Sequence, residues 1–224
     1  MKATRSLILC LVALLLAAPL VRAQDLSKYR HFNLGMNMTT LLERTNQSIA
    51  DAKVIYRQPA LIQEVTWWPP NLPGTSFRAD TVEQILFSFY NGALYKISVT
   101  YDRTSTVGLT AEDMVKSISA KYGPAATIAP EVDAATNDRY EVKQKPVASW
   151  EDSQYSFELV RSSFTDGFGL LIYSKRVDAE AELAATQAVK LAEQQGPKRE
   201  ADRQKKDADD LEVTREKNQK SFRP

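Results

Sequence analysis

The sequence predicts an α+β fold in which tandem repeats of a helix plus antiparallel strands form one sheet with helices on one side, followed by a long charged C-terminal helical tail. Three observations predict it. Gly35-Met36-Asn37 matches Gly108-Leu109-Thr110, and at the same offset of 73 Met38, Leu41 and Leu42 match Ala111, Met114 and Val115, with Ile49 matching Tyr122. Residues 82–101 alternate apolar and polar side chains about an Asn91-Gly92 pair, the pattern of a β-hairpin with one buried face. All three tryptophans, all nine tyrosines and seven of the eight phenylalanines fall between Tyr29 and Tyr173, whereas residues 174–224 carry 23 charged residues in 51. Residues 24–173 carry 31 in 150, so the shift separates a globular part from a solvated tail.

At the N-terminus, Lys2 and Arg5 precede an apolar run over 7–20, and Val21-Arg22-Ala23 places small residues at a cleavage site. This order predicts a signal peptide over 1–23, cleaved after Ala23, and a periplasmic or secreted protein. The apolar run spans only ~21 Å as a helix, short of a ~30 Å hydrocarbon core. Cys10, the only cysteine, leaves with the signal peptide, and the mature chain keeps 26 basic and 28 acidic residues, a net charge of −2.

Residues 24–176 read as the tandem-repeat domain, with repeats at about 32–104 and 105–176, and 177–224 as the tail. The first helix is expected over 37–50, capped by Asn37, with a weak stripe because Thr45 stands where the second copy has Ile118. The second, over 110–122, has a Thr110/Asp113 capping box, an apolar stripe through Met114 and Ile118, and a Gly123-Pro124 stop. A tryptophan-bearing strand precedes each hairpin, at 61–68 and at 147–152. The first hairpin buries Ile85, Phe87, Phe89, Tyr95, Ile97, Val99 and Tyr101 by alternation; the second buries Tyr155, Phe157, Leu159, Phe168, Leu170 and Ile172.

The tail opens with an Ala-rich helix over 177–195 whose inner face is Val177, Ala181, Ala184, Ala188 and Leu191. Gly196-Pro197 is expected to break or kink it. Beyond it, opposite charges stand at i,i+4 in Lys198/Asp202, Asp202/Lys206, Arg203/Asp207, Lys205/Asp209, Lys206/Asp210 and Glu216/Lys220. With only Ala201, Ala208, Leu211 and Val213 apolar, no stripe supports a stable coiled coil.

Phe32-Asn33-Leu34-Gly35-Met36 and Gly108-Leu109-Thr110, each opening a helix-then-strand unit, carry a resemblance. Over about 140 residues the chain resembles the fold shared by β-lactamase inhibitor proteins and the small lipoprotein of the outer-membrane barrel-assembly machinery. The resemblance implies a binding or scaffolding module and names no partner.

The chemistry is bounded by what the composition lacks. Lys+Arg 29 against Asp+Glu 28 argues against a nucleic-acid or anionic-membrane binder. One cysteine and one histidine exclude most zinc, iron-sulfur and Ser/His or Cys/His sites, and no glycine-rich phosphate loop occurs, so no metal and no cofactor is expected. His31 reads as a surface residue. Glu112-Asp113 and Glu151-Asp152 are the carboxylate pairs a glycoside hydrolase would need, but Asp113 suits a helix cap, and strand geometry turns Glu151 away from Asp152.

The candidate partner-binding residues are Trp68, Pro69, Pro70, Leu72 and Phe222. Trp67 should share a face with Val65 and be core; Trp68 is either a platform for a partner or, the preferred reading, covered by its own proline loop. These features favour a non-enzymatic protein-interaction or envelope scaffold module with a protein partner in the cell envelope. The alternative is a small-molecule or lipid carrier using the concave face of the sheet, with a hydrolase far behind.

Overall fold

Two glycines 73 residues apart, Gly35 and Gly108, both take the left-handed backbone, with φ of 87° and 83°. Two residues after each, Asn37 and Thr110 cap a helix, so the repeat begins with the same turn chemistry in both copies. The computed structural model describes residues 25–70, 80–128, 145–161 and 167–223; the expected signal peptide over 1–23 and Leu72 lie outside the described residues.

The chain order is β1 (Lys28–Tyr29), β2 (Phe32–Asn33), α1 (Met38–Thr45), a 3-10 turn (Ile49–Asp51), β3 (Ala52–Tyr56), β4 (Ile62–Trp67), β5 (Val82–Tyr90), β6 (Ala93–Tyr101), α2 (Arg103–Thr106) and α3 (Ala111–Tyr122). Then follow β7 (Thr127–Ile128), β8 (Lys145–Glu151), β9 (Tyr155–Arg161), β10 (Phe168–Ser174) and α4 (Lys175–Ser221). The class is the predicted α+β. β1 and β2 pair alone, and the others form one antiparallel sheet in the order β3-β4-β5-β6-β10-β9-β8-β7.

That order reads outward identically from the centre, one repeat on each side. The halves meet where β6 pairs with β10, and the opposed residues Ser98 and Leu171 are themselves 73 apart. The repeat relation therefore exchanges the members of that pair, as an approximate two-fold rotation requires. Each repeat has four strands rather than the three read from sequence, because β3 and the two-residue β7 flank the tryptophan strands.

One face of the sheet carries the main core. Val65, Ile85, Phe87, Phe89, Ile97, Val99, Phe157, Leu159, Leu170 and Ile172 are buried there with Met38, Leu41 and Leu42 of α1 and Met114 and Ile118 of α3. The two repeat helices thus share one side, as expected. Trp150 is buried between β8 and α3, its indole N–H donating to the Gly123 carbonyl at 2.9 Å and lying 3.3 Å from Ser119 Oγ.

Three expectations are corrected. The first helix ends at Thr45 rather than residue 50: Asn46 is left-handed (φ 53°), its N–H donates to the Glu43 carbonyl, and the Gln47 N–H donates to Leu42. This Schellman-type cap ends the helix where Thr45 weakens the stripe. Secondly, Tyr95 does not join the main core. Phe89 pairs with Leu94 while Ser88 pairs with Lys96, so Tyr95 is the extra residue of a bulge, Leu94 takes the core side, and Tyr95 turns to the opposite face. Thirdly, Gly196-Pro197 does not break the helix: α4 is helical on both sides of Pro197. The proline withdraws one N–H from an exposed stretch, where water can satisfy the freed carbonyl, so the helix continues on both sides.

The central β6/β10 pair leaves no room for a side chain at one point. A Cβ on Gly169 would stand 2.9 Å from the Val99 carbonyl oxygen and 3.2 Å from Val160 Cγ2. Gly169→Ala is therefore expected to cost about 1–3 kcal/mol, because a backbone atom of the neighbouring strand must move. Urea unfolding measures it, and an unchanged midpoint would show that the strands can separate freely there.

Candidate interaction surface

Alternation along β4 divides two adjacent tryptophans. Val65 and Trp67 face the main core, Trp67 meeting Phe32 edge-on with centroids 5.7 Å apart. Trp68 follows the strand and is 58% exposed, Pro69 is half-buried and Pro70 exposed. Pro69 and Pro70 leave most of the indole open on the side of the strand away from Trp67, and the remainder of the proline loop expected to cover it, residues 71–79, lies outside the described residues.

The short α1 adds a residue that the sequence reading placed elsewhere. Ile49, expected to match the packed Tyr122, lies in the 3-10 turn and is 68% exposed. Since Ala52 pairs with Val65, the turn before β3 and Trp68 after β4 stand at the same end of that hairpin. The sequence signal for this was Thr45 followed by Asn46, an apolar stripe interrupted next to a residue that tolerates the left-handed cap.

Phe222 lies at the far end of α4 and is 76% exposed. The beginning of α4 crosses the sheet face opposite the main core. Ala181, Ala184 and Ala188 are buried, and the first two pack with Ala60, Ile62 and Tyr95. Alanine suits this contact because the helix must come close to the bulged Tyr95. Polar clamps fix its start: Lys96 Nζ to Asp178 Oδ1 at 2.8 Å, and Lys175 Nζ to Glu151 Oε2 at 2.5 Å and to the Asp152 carbonyl at 2.8 Å. Burial, with the nearby carboxylates Asp178, Glu64 and Glu182, pushes the Tyr95 phenol up to about 12, so it stays neutral beneath the helix. A shallow cavity of about 210 Å³ lies between Pro59, Ala60, Tyr90, Leu183 and Ala184.

From residue 196 onward every described side chain of α4 is exposed. Of the expected i,i+4 pairs, Lys220–Glu216 closes at 3.9 Å, beside the i,i+3 pairs Arg203–Glu200 at 3.5 Å and Arg215–Glu212 at 3.8 Å. The other expected pairs do not close within 4 Å among the described residues. Exposed ions gain little by pairing, so the side chains remain solvated.

The residues weighed for catalysis have structural partners. Asp113 closes the capping box with Thr110, and hydrogen bonds from the Thr110 backbone and side chain hold its carboxyl below the usual range. Asp152 Oδ1 accepts from the Gln154 and Tyr155 N–H groups, both at 2.7 Å, and Glu151 is held by Lys175. His31 is exposed and lies tilted against Phe32; desolvation and the cations Arg44 and Arg30 lower its pKa. Among the described residues no cluster of three His, Cys, Asp or Glu side chains could hold a metal ion.

Near the N-terminal hairpin, Tyr29, Tyr101 and Tyr122 draw together. Tyr122 donates to the Lys28 carbonyl at 3.4 Å, Tyr29 and Tyr101 perturb each other's phenols, and burial raises all three. Arg30, left-handed at φ 55°, grips Asp80 through both guanidinium nitrogens, at 2.5 and 2.6 Å. The cluster pins the hairpin over the core.

Compared with protein-family models, with curated proteins and with solved structures, the chain matches none. Among the described residues no helix is long and apolar enough to cross a membrane. The surface is therefore read from its own chemistry: an exposed aromatic-proline corner on the sheet, and a charged helix fixed at one end.

Proposed function

We infer that this chain is an exported, non-enzymatic protein-interaction or envelope scaffold module, working in the periplasm or outside the cell after cleavage at Ala23. The observation that carries the reading is α4: its first turns are clamped to the sheet by Lys175, Asp178, Ala181 and Ala184, and from residue 196 onward its described side chains, rich in charge, are all exposed. From residue 196 onward the described side chains of the helix have no inward face and add nothing to the domain's core, which suits an arm that holds a partner at a fixed distance. Trp68 with Pro69 and Pro70 supplies a second contact, since exposed aromatics are common anchors of protein interfaces. The likeness of Phe32-Asn33-Leu34-Gly35-Met36 to the inhibitor and barrel-assembly lipoprotein fold points the same way.

The test is cross-linked capture from an envelope fraction with three chains: residues 24–224, the same chain ended at 196, and Trp68→Ser. One protein retained by the first, lost by the second and weakened at least about tenfold by the third, as for an interfacial hot spot, is the expected result. A hydrophobic small molecule seen by native mass spectrometry, with no protein captured, would replace this reading by the carrier one.

A further inference from the structure

The near-neutral total hides a segregation of charge along α4. Residues 198–206 hold five basic and two acidic side chains, and 207–212 hold four acidic and no basic ones. Residues 213–223 hold Arg215, Lys217, Lys220 and Arg223 against Glu216 alone. Phe222 sits inside that last basic block and is solvent-exposed, as are Leu211 and Val213. Cations at a helix C-terminus are favoured by its dipole, which accounts for Lys217 or Lys220. The dipole does not account for an exposed phenylalanine, nor for Arg223 beyond the last helical residue.

Pairing with a second copy along the full distal helix is opposed by the same pattern. A parallel, in-register pair sets each block against its like, and an antiparallel pair centred near residue 209 sets acidic on acidic and basic on basic. A uniformly anionic surface, in contrast, attracts the 213–223 block and repels the 207–212 block beside it. The contact that satisfies both is end-on.

We propose that the C-terminal end of α4 docks on an anionic phospholipid surface. Phe222 enters the interface, Arg215, Lys217, Lys220 and Arg223 meet the headgroups, and the acidic block holds the remaining helix off the surface. One aromatic with a basic cluster is a two-signal, reversible anchor, and each cation near such a surface raises affinity about fivefold. The helix between Ala188, its last buried residue, and Ser221 is then a strut about 50 Å long that holds the sheet away from the bilayer. The whole-chain charge balance argues against general membrane adhesion; the local pattern confines it to one end.

The test is co-sedimentation of the full mature chain with vesicles of phosphatidylglycerol and phosphatidylcholine in equal parts, and with phosphatidylcholine alone. Binding is expected to the mixed vesicles only, and to vanish at ~1 M salt, where the Debye length is about 3 Å. The triple variant K217Q/K220Q/R223Q should bind more than tenfold more weakly and Phe222→Ala several-fold more weakly, both with unchanged melting temperature. Replacing Asp207, Asp209, Asp210 and Glu212 by their amides should strengthen binding. No binding to mixed vesicles, equal binding to neutral ones, or binding indifferent to the tip variants overturns the proposal. Tip variants that lose protein capture while leaving vesicle binding unchanged would assign the tip to an acidic-rimmed pocket on a protein instead. Vesicle binding is measured without any protein partner, so its outcome and that of the capture experiment are independent.

Discussion

Trp150→Ala is expected to lower stability by about 3–5 kcal/mol, the usual cost of deleting a large buried aromatic side chain. Trp150 is 2% exposed and is the point where the second repeat helix is tied to the sheet, through the indole N–H and the Gly123 carbonyl. Its loss leaves a cavity beneath α3 and a carbonyl without its donor, and both effects act in the same direction. For a domain of this size each kcal/mol moves the melting temperature by about 2–4 °C, so a fall on the order of 10 °C should be seen by calorimetry. Trp150→Phe keeps most of the volume and should recover most of the loss. Trp68→Ala, at an exposed position, should change stability by less than about 0.5 kcal/mol. Equal effects at Trp68 and Trp150 would mean that the assignment of one tryptophan to the core and the other to the surface is mistaken.

That division shows how far the sequence could be read. The hairpins and repeat helices were legible because their signals are local: Asn91-Gly92 adopts two successive positive φ values, and Thr110 with Asp113 forms its box from residues three apart. The offset of 73 then carried the same reading into the second copy. What alternation missed depends on partners distant in sequence. The bulge that turns Tyr95 over is set by the register of β5 on β6, and what Tyr95 meets there is α4, more than 80 residues later. β3 and β7 are short edge strands whose pairing is decided by the sheet already in place. At the candidate surface, the exposure of Trp68 follows from Trp67 occupying the core side, which strand parity had indicated. The exposure of Ile49 follows from a helix that stops one turn early, a consequence of Thr45 and Asn46 rather than of Ile49 itself. The charge blocks of α4 stand in plain order in the sequence, but only the exposure of the described distal helix shows that they face solvent, with ion pairs to neighbours on the helix itself.

Ending the chain at residue 176 should destabilise it severely, whereas ending it at 196 should not, and this contrast locates the true boundary between body and arm. Composition changes at 174, yet the first turns of α4 belong to the fold: Ala181, Ala184 and Ala188 are buried, Asp178 pairs with Lys96, and Ile62 and Tyr95 lie beneath them. Removing residues 177–224 returns these apolar surfaces to water. At about 25 cal/mol per Å², uncovering even half of Ile62 and Tyr95 together with the three alanines costs several kcal/mol before the entropy regained by the lost helix is subtracted. It also leaves Lys96 without its carboxylate. A fall in melting temperature of about 10 °C or more is expected for the chain ended at 176. The chain ended at 196 loses only exposed side chains and pairs worth ~0.2–0.5 kcal/mol each that stabilise the arm alone, so its melting temperature should stay within about 2 °C of the full chain. Far-ultraviolet circular dichroism of the full chain should meanwhile lose helical signal as salt screens those pairs, without any change in the cooperative transition. If both truncations melt like the full chain, α4 is held to the sheet too weakly to aim the arm, and a strut of fixed direction is no longer available to the scaffold. If both melt early, the distal helix contributes to the fold and cannot be the free element that a partner or a membrane surface would meet.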